Sequence, residues 1–289
     1  MPVSIPRHRD ATPRIPGDGG DRRGQPALRR ATSSGRGAGR GAGSRPASGA
    51  EACGSRARVI RVRQLGWWIA DYLTAGLWQL RALFPRPDPS AFSEGPGRPV
   101  VILPGVYEDW RFMLPLVREL HAQGHPVHVV TGLGHNRVSV GEGARRVEAH
   151  LIAAELSDAV LVAHSKGGLV GKQVMAFGAA APRVRAMVTM ATPFGGSSYA
   201  RFMLNRTLRS FAPENETLAT LGRSLEVNTR IVSVFPSFDP HIPEGSVLPG
   251  ARNVRVPTAG HFRVLADPRA RAEVRRVAGG VLPAGEALP

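Results

Sequence analysis

A chain of 289 residues with a formal charge of +16, 42% hydrophobic and 21% charged, is long enough to bury a sizeable core and too apolar to be wholly disordered. Its content of Gly 34 and Pro 25 exceeds the usual share for a globular domain, so part of the chain is expected to lack a core. A single cysteine, Cys53, excludes an intramolecular disulfide framework and any all-cysteine zinc site.

The charge is unevenly spread. Residues 1–58 hold 12 arginines against 4 acidic residues, and the rest of the chain holds 26 basic against 18 acidic. Lys166 and Lys172 are the only lysines, a bias in keeping with an Arg-rich coding preference, and no nucleic-acid partner is expected. Residues 1–57 read as Arg, Gly, Ser and Pro without apolar periodicity, which predicts a disordered tail; a translation start within it is an equally open reading.

From Arg58 the character changes. In RVIRVRQLGWWIADYLTAGLWQLRALF, Leu65, Trp68, Ile69, Tyr72, Leu73, Leu80 and Leu83 share a broad helical face, predicting an amphipathic helix over 58–85. The run falls short of the ~20 apolar residues a bilayer span needs, and Asp71 near its centre would cost about 2.5–3.5 kcal/mol on insertion. Arg58, Arg61, Arg63 and Arg81 with Trp67, Trp68 and Trp78 suit peripheral membrane contact through residues 58–84. Packing on the following domain is the other reading. The apolar run begins far from the terminus and no small-residue cleavage pattern follows it, so the expected location is cytoplasmic, with or without membrane association.

A Pro-rich linker over 86–98 leads into a domain over 99–289 where short β-branched runs alternate with helical patterns. Strands are predicted at 99–105, 126–131, 159–165, 184–192, 230–239 and 253–258. The fold class is therefore α/β: a three-layer αβα sandwich with a mostly parallel sheet of about six strands. Helical patterns lie in EDWRFMLPLVRELHAQ, GEGARRVEAHLIAAEL, KGGLVGKQVMAFGAA and DPRARAEVRRVAGGVL. Between about 193 and 229 the alternation lapses into SSYARFMLNRTLRSF and APENETLATLGRSL, read as two helices of a small lid or of a cap on the sheet edge. Asn205-Arg-Thr207 and Asn215-Glu-Thr217 there match glycosylation acceptors, a pattern short enough to arise by chance.

The most informative window is AVLVAHSKGGLVGK, an apolar strand that stops at Ser165 and gives way at once to a helix. Ala163 and Gly167 flank the serine at two residues, as they must where strand and helix crowd a strained turn that presents a nucleophilic hydroxyl. Such a hydroxyl needs a neutral base, and His261 lies in a glycine-preceded loop after the last strand, at the same sheet edge. His164 points along its strand into the interior, and His135 and His150 lack a strand-end setting. The imidazole needs a carboxylate to fix its tautomer, and the strand ending SVFPSFD delivers Asp239; Glu244 is the fallback, Asp267 reads as a helix N-cap before Pro268, and Asp158 lies at the wrong end of its strand. Acyl transfer also needs two backbone donors for the developing oxyanion: the amide of Lys166, and that of Val106 or Tyr107 after Pro104-Gly105, with Val106 favoured. The Lys166 side chain reads as solvent-exposed. Tyr107, Phe194, Phe202 and Met203 are the candidate substrate-binding residues, with Leu204 and Phe211 adding to an acyl-binding wall.

Over about residues 97–282 the chain resembles the α/β-hydrolase superfamily, specifically its bacterial triacylglycerol lipase and esterase branch. The motifs that carry the resemblance are LPG before the first helix, VAHSKGG at the elbow, TMATPFGGS, SFDPHIP and AGHFRVL. Such families commonly carry methionine where Lys166 stands and glycine or histidine-glycine where Pro104-Gly105 stands, departures that bear on substrate preference rather than on reaction class. The resemblance implies a cofactor-free serine hydrolase acting on small-molecule or lipid esters through an acyl-enzyme. An acyltransferase would share that intermediate, and a non-catalytic, membrane-associated protein on the same fold is a third reading. No metal or nucleotide site is expected; GVYEDW and GLGHNR lack a phosphate-loop pattern. Oligomeric state has no signature in the sequence.

Overall fold

The structure, a computed structural model, describes residues 65–77 and 87–282; the expected tail and the arginines flanking the first helix lie outside them. Six strands form one sheet in the order β2-β1-β3-β4-β5-β6, every pair parallel. They are β1 (Val100–Leu103), β2 (Val127–Val129), β3 (Ala159–His164), β4 (Val184–Met190), β5 (Ile231–Phe238) and β6 (Arg252–Ala259), each at a predicted position. The described helices are α1 over residues 65–77, α2 (Leu114–Ala122), α3 (Val140–Ala153), α4 (Lys166–Phe177), α5 (Arg206–Arg209), α6 (Glu216–Arg223) and α7 (Pro268–Ala278).

Successive strand residues point to opposite faces, so continuous apolar strands build two cores. On one face Val101, Leu103, Leu161, Ala163, Met187 and Ile231 pack with residues of α3, α4 and α6. On the other, Val100, Ile102, Val160, Val162, Val188 and Val232 pack with residues of α2 and α7. The segment expected as a linker contributes too: Phe92 is buried in this second core.

Helix α4 lies close against the sheet because three of its residues have no side chain. A Cβ on Gly167 would collide with the Leu103 carbonyl, one on Gly168 with Thr192, and one on Gly171 with the Met187 sulfur. Helix ends follow local capping chemistry. Ser139 accepts from the Glu142 amide at the start of α3, and Asp267 accepts from the Arg269 and Ala270 amides ahead of Pro268 in α7, the cap predicted for it.

Two expectations need correction. The first insertion segment is not one helix: a 3-10 turn (Ser198–Phe202) ends, and α5 restarts only after Asn205, whose extended backbone and side-chain bond to the Thr207 amide cap a new helix. Asn215 caps α6 in the same way, so both sequon-like asparagines have a structural use. In α1 the side chains that share the broad apolar face do not all turn inward: Leu65, Ile69 and Leu73 are exposed, while Asp71 is fully buried and Trp67, Trp68, Ala70, Thr74 and Ala75 are half-buried. No helix among the described residues is long and apolar enough to cross a membrane.

The crowding at Gly167 gives a direct test. Gly167→Ala is expected to destabilise the fold by at least about 1–3 kcal/mol, read as a lowered urea midpoint with unchanged slope; an unchanged midpoint would contradict the close approach of α4 to β1.

Candidate active site

Strands β1, β3, β5 and β6 run parallel, so the loops that follow them open at one edge of the sheet, where ligands of open α/β sheets bind. Ser165 follows β3 directly, and with φ 49 and ψ −119 it occupies a backbone region that non-glycine residues rarely hold, at a strain on the order of 1–3 kcal/mol. The surroundings hold it there: its amide donates to the Met190 carbonyl at 2.9 Å, and its own carbonyl accepts from Thr192 Oγ1 at 2.9 Å.

The hydroxyl of Ser165 lies 3.0 Å from His261 Nε2, and His261 Nδ1 lies 2.8 Å from Asp239 Oδ2. The neutral tautomer that satisfies both contacts carries its proton on Nδ1 and leaves Nε2 free to accept from the serine. Burial works against charging His261, but the Asp239 carboxylate and its hydrogen bond, helped by Glu108 and Asp71, outweigh it and raise the pKa above 6.5. Burial likewise works against an ionised Asp239; His261, the His241 amide and His241 itself prevail and hold the carboxyl below 3.8. Glu244 is engaged elsewhere, accepting from the Ser198 amide, and Asp158 pairs with Arg98 and Arg185.

Partners that sequence reasoning missed surround this relay. His164 is fully buried; its Nδ1 lies 2.9 Å from both Glu108 oxygens and its Nε2 3.1 Å from the His261 carbonyl. Glu108 also accepts from the Gly105 amide at 2.8 Å. Asp71, from α1, accepts from the amides of His261 at 2.8 Å, Phe262 at 3.0 Å and Arg263 at 3.2 Å. The His241 ring lies tilted at 53° to that of His261, centroids 4.8 Å apart, and burial together with that neighbour pushes its pKa down to about 4. Nε2 of neutral His241 lies 2.9 Å from the Tyr72 hydroxyl, within hydrogen-bond distance.

The loop after β1 is pinned on either side of Val106. Asn136 Nδ2 donates to the Pro104 carbonyl at 2.7 Å, Glu108 holds the Gly105 amide, and the Tyr107 amide donates to the His135 carbonyl at 2.8 Å. The Tyr107 amide is therefore occupied, whereas the Val106 and Lys166 amides have no acceptor among the described residues.

No protein-family model and no curated protein matches this sequence. Solved structures do. The mature form of a Bacillus licheniformis lipase superposes with a TM-score of 0.51 at 13% identity, covering 67% of this chain and 94% of that one. Its propeptide form gives 0.52 at 13% identity, over 71% of this chain and 54% of that one. An α/β-hydrolase enzyme from the metagenome of Mar Chica lagoon sediments gives 0.47 at 16% identity, over 64% and 91%. The chain has the α/β-hydrolase fold.

On the α/β-hydrolase sheet edge, Ser165 and His261 face a cavity of about 710 Å³, within the range of small-molecule sites. Tyr107, Phe202 and Met203 line it, joined by Val106, Phe211 and, from α1, Trp68 and Tyr72. Phe194 does not line it. That ring lies in the core under α4, with the Lys172 ammonium 5.8 Å from its centroid. The Lys166 side chain also departs from expectation: it is buried, and its ammonium donates to the Asn136 carbonyl at 2.8 Å and to the Val138 carbonyl. Burial lowers its pKa to about 8. Lys166 thus ties the start of α4 to the loop that holds Pro104, and offers no charge to the cavity. Asp239, His241 and His261 bring ligand atoms within 4.8 Å of one another, close enough for a metal, but two of the three are already bonded as the serine relay.

Glu108→Ala is expected to leave the Gly105 amide and the His164 ring without an acceptor and to lower stability by about 1–3 kcal/mol for each. Chemical denaturation reads this directly, and a loss under about 0.5 kcal/mol, the scale of ordinary surface changes, would contradict the assigned bonding.

Proposed function

We propose that the protein is a serine hydrolase that cleaves carboxylic esters, including lipid esters, through an acyl-enzyme. The observation that carries this reading is the unbroken hydrogen-bonded chain from Ser165 through His261 to Asp239, opening into a largely apolar cavity. Ser165 Oγ bonds to the acyl carbon while its proton passes to His261 Nε2, and the carbonyl electron pair moves onto oxygen. Asp239 holds the imidazolium that forms. The Val106 and Lys166 amides receive the oxyanion, an interaction worth about 2.7–4 kcal/mol per donor in enzymes of this type.

Collapse of the tetrahedral adduct breaks the ester C–O bond, and the departing alkoxide takes the proton from His261. Water then attacks the acyl-enzyme, giving its proton to Nε2, and the carboxylic acid leaves as Ser165 regains its hydrogen. Val106, Phe112, Ala200, Leu208, Phe211 and Ile242 give the cavity mostly apolar walls, and the one carboxylate among them, Glu108, is held by the Gly105 amide and His164, which suits an acyl chain better than a charged substrate. Phe202 of the lining is 81% exposed; Leu204, expected in the acyl-binding wall, does not line the cavity and is 96% exposed, and Leu65, Ile69 and Leu73 of α1 also face outward. Such side chains favour contact with an aggregated ester or a membrane surface.

Purified protein should hydrolyse p-nitrophenyl acyl esters and react at Ser165 with a fluorophosphonate probe, and Ser165→Ala should lower kcat by about 10³-fold or more. Absence of both activities in the wild type would refute the reading. The pH profile carries a second expectation. Protonated His261 cannot accept the serine proton, so kcat/KM falls as pH drops through its raised pKa, placing the midpoint of the acid limb above 6.5. A limb centred below that value would contradict the electrostatics assigned to the site.

A further inference from the structure

The reading above places Ser165 and His261 in the reaction; resting on it, we propose that Asp71 is a positioning residue, through which helix α1 fixes the loop that carries the base. His261, Phe262 and Arg263 are 190 to 192 residues further along the chain, yet all three amides converge on this one carboxylate. Oδ2 takes the His261 amide and Oδ1 takes the other two. Successive amides aimed at one point form a concavity that binds an anion. Here α1 supplies that anion as a side chain.

Three further observations separate this contact from ordinary helix packing. Asp71 is 0% exposed, and no lysine or arginine among the described residues pairs with it, so the loop amides are what compensate its lost hydration. Gly260, with φ 122, takes a conformation that side chains disfavour, and a Cβ there would collide with the Asp71 carboxylate. The loop therefore approaches α1 at a residue with neither side chain nor conformational restraint of its own. Lastly, the remaining polar atoms of His261 are all engaged: the carbonyl by His164, Nδ1 by Asp239 and Nε2 by Ser165.

Asp71 thus closes the set at the backbone amide of His261. Without it the loop could swing about Gly260, carrying the imidazole away from the serine. A misplacement of about 1 Å at a reacting group lowers rate by roughly 10²-fold. Ester binding depends on the cavity walls rather than on the loop amides, so the loss should fall on kcat and leave KM near its original value.

The test uses the full chain, a soluble p-nitrophenyl ester and a fluorophosphonate. Asp71→Asn places a donor opposite loop amides that are themselves donors; kcat and the rate of Ser165 phosphonylation should both fall by about 10- to 100-fold, with KM within about threefold. The charged and titratable groups facing His261 are Asp239, Glu108, Asp71, His164 and His241. Removing one negative charge from that set should move the acid limb of kcat/KM to lower pH. Asp71→Glu keeps the charge but displaces the carboxylate, so it should lose kcat with a smaller shift of the limb. Leu77→Ser, at an exposed position of the same helix, should leave kcat unchanged.

Wild-type kcat and an unmoved acid limb in Asp71→Asn would overturn the proposal. Loss of the folded far-UV spectrum in both Asp71 variants would overturn it too, since Asp71 would then serve the fold rather than the reaction. A wild-type protein silent toward ester and probe would instead strike the hydrolase reading itself.

Discussion

An imidazole relays a proton between a hydroxyl and a leaving group only while its tautomer and its orientation are both held. At His261 the ring is fixed by Asp239 on one nitrogen and faces Ser165 with the other. The backbone on either side of that ring is gripped as firmly, by Asp71 at the amide and His164 at the carbonyl. These four partners come from α1, β3, the turn after β3 and the loop after β5. The geometry of one side chain therefore depends on the sheet being assembled in the observed order.

The same economy appears in the loop after β1. A backbone amide can serve an oxyanion only if its own partner is missing, and Val106 is left open because its neighbours are occupied by Asn136, Glu108 and the His135 carbonyl. Glu108 joins the two halves of the site, holding the Gly105 amide and, through His164, the carbonyl of His261. Strain at Ser165 is borne by a tightly packed turn in which Gly167 and Gly168 admit the neighbouring backbone and Thr192.

What could be read from the sequence was whatever local sterics or periodicity dictate. The elbow was legible because crowding restricts residue size on both sides of Ser165, and the six strands because each is a short β-branched run. Asp239 and His261 were legible from their places just beyond strand ends. Asp71 left no local signature of its partner. Helical periodicity assigns faces, and a lone carboxylate in an apolar helix speaks against a bilayer without saying which amides it meets. Glu108 was hidden for the same reason. The Lys166 side chain misled because helix α4 is covered on nearly all sides, so its ammonium turns to backbone carbonyls instead of water. Phe194 misled because proximity in sequence to a strand end does not say whether a ring faces the cavity or the core. The cap at Asn205 was readable in principle, since an asparagine two residues before threonine is a helix-start signal as well as a sequon.

A crystal structure of the protein after reaction with a fluorophosphonate tests the account most directly, since the adduct mimics the tetrahedral intermediate at the atoms in question. The expected result is a phosphorus bonded to Ser165 Oγ, its oxygen about 2.7–3.1 Å from the Val106 and Lys166 amides, and its alkyl chain in the cavity beside Phe211. An adduct on another residue, or a phosphonyl oxygen turned away from both amides with His261 displaced from the serine, would contradict it.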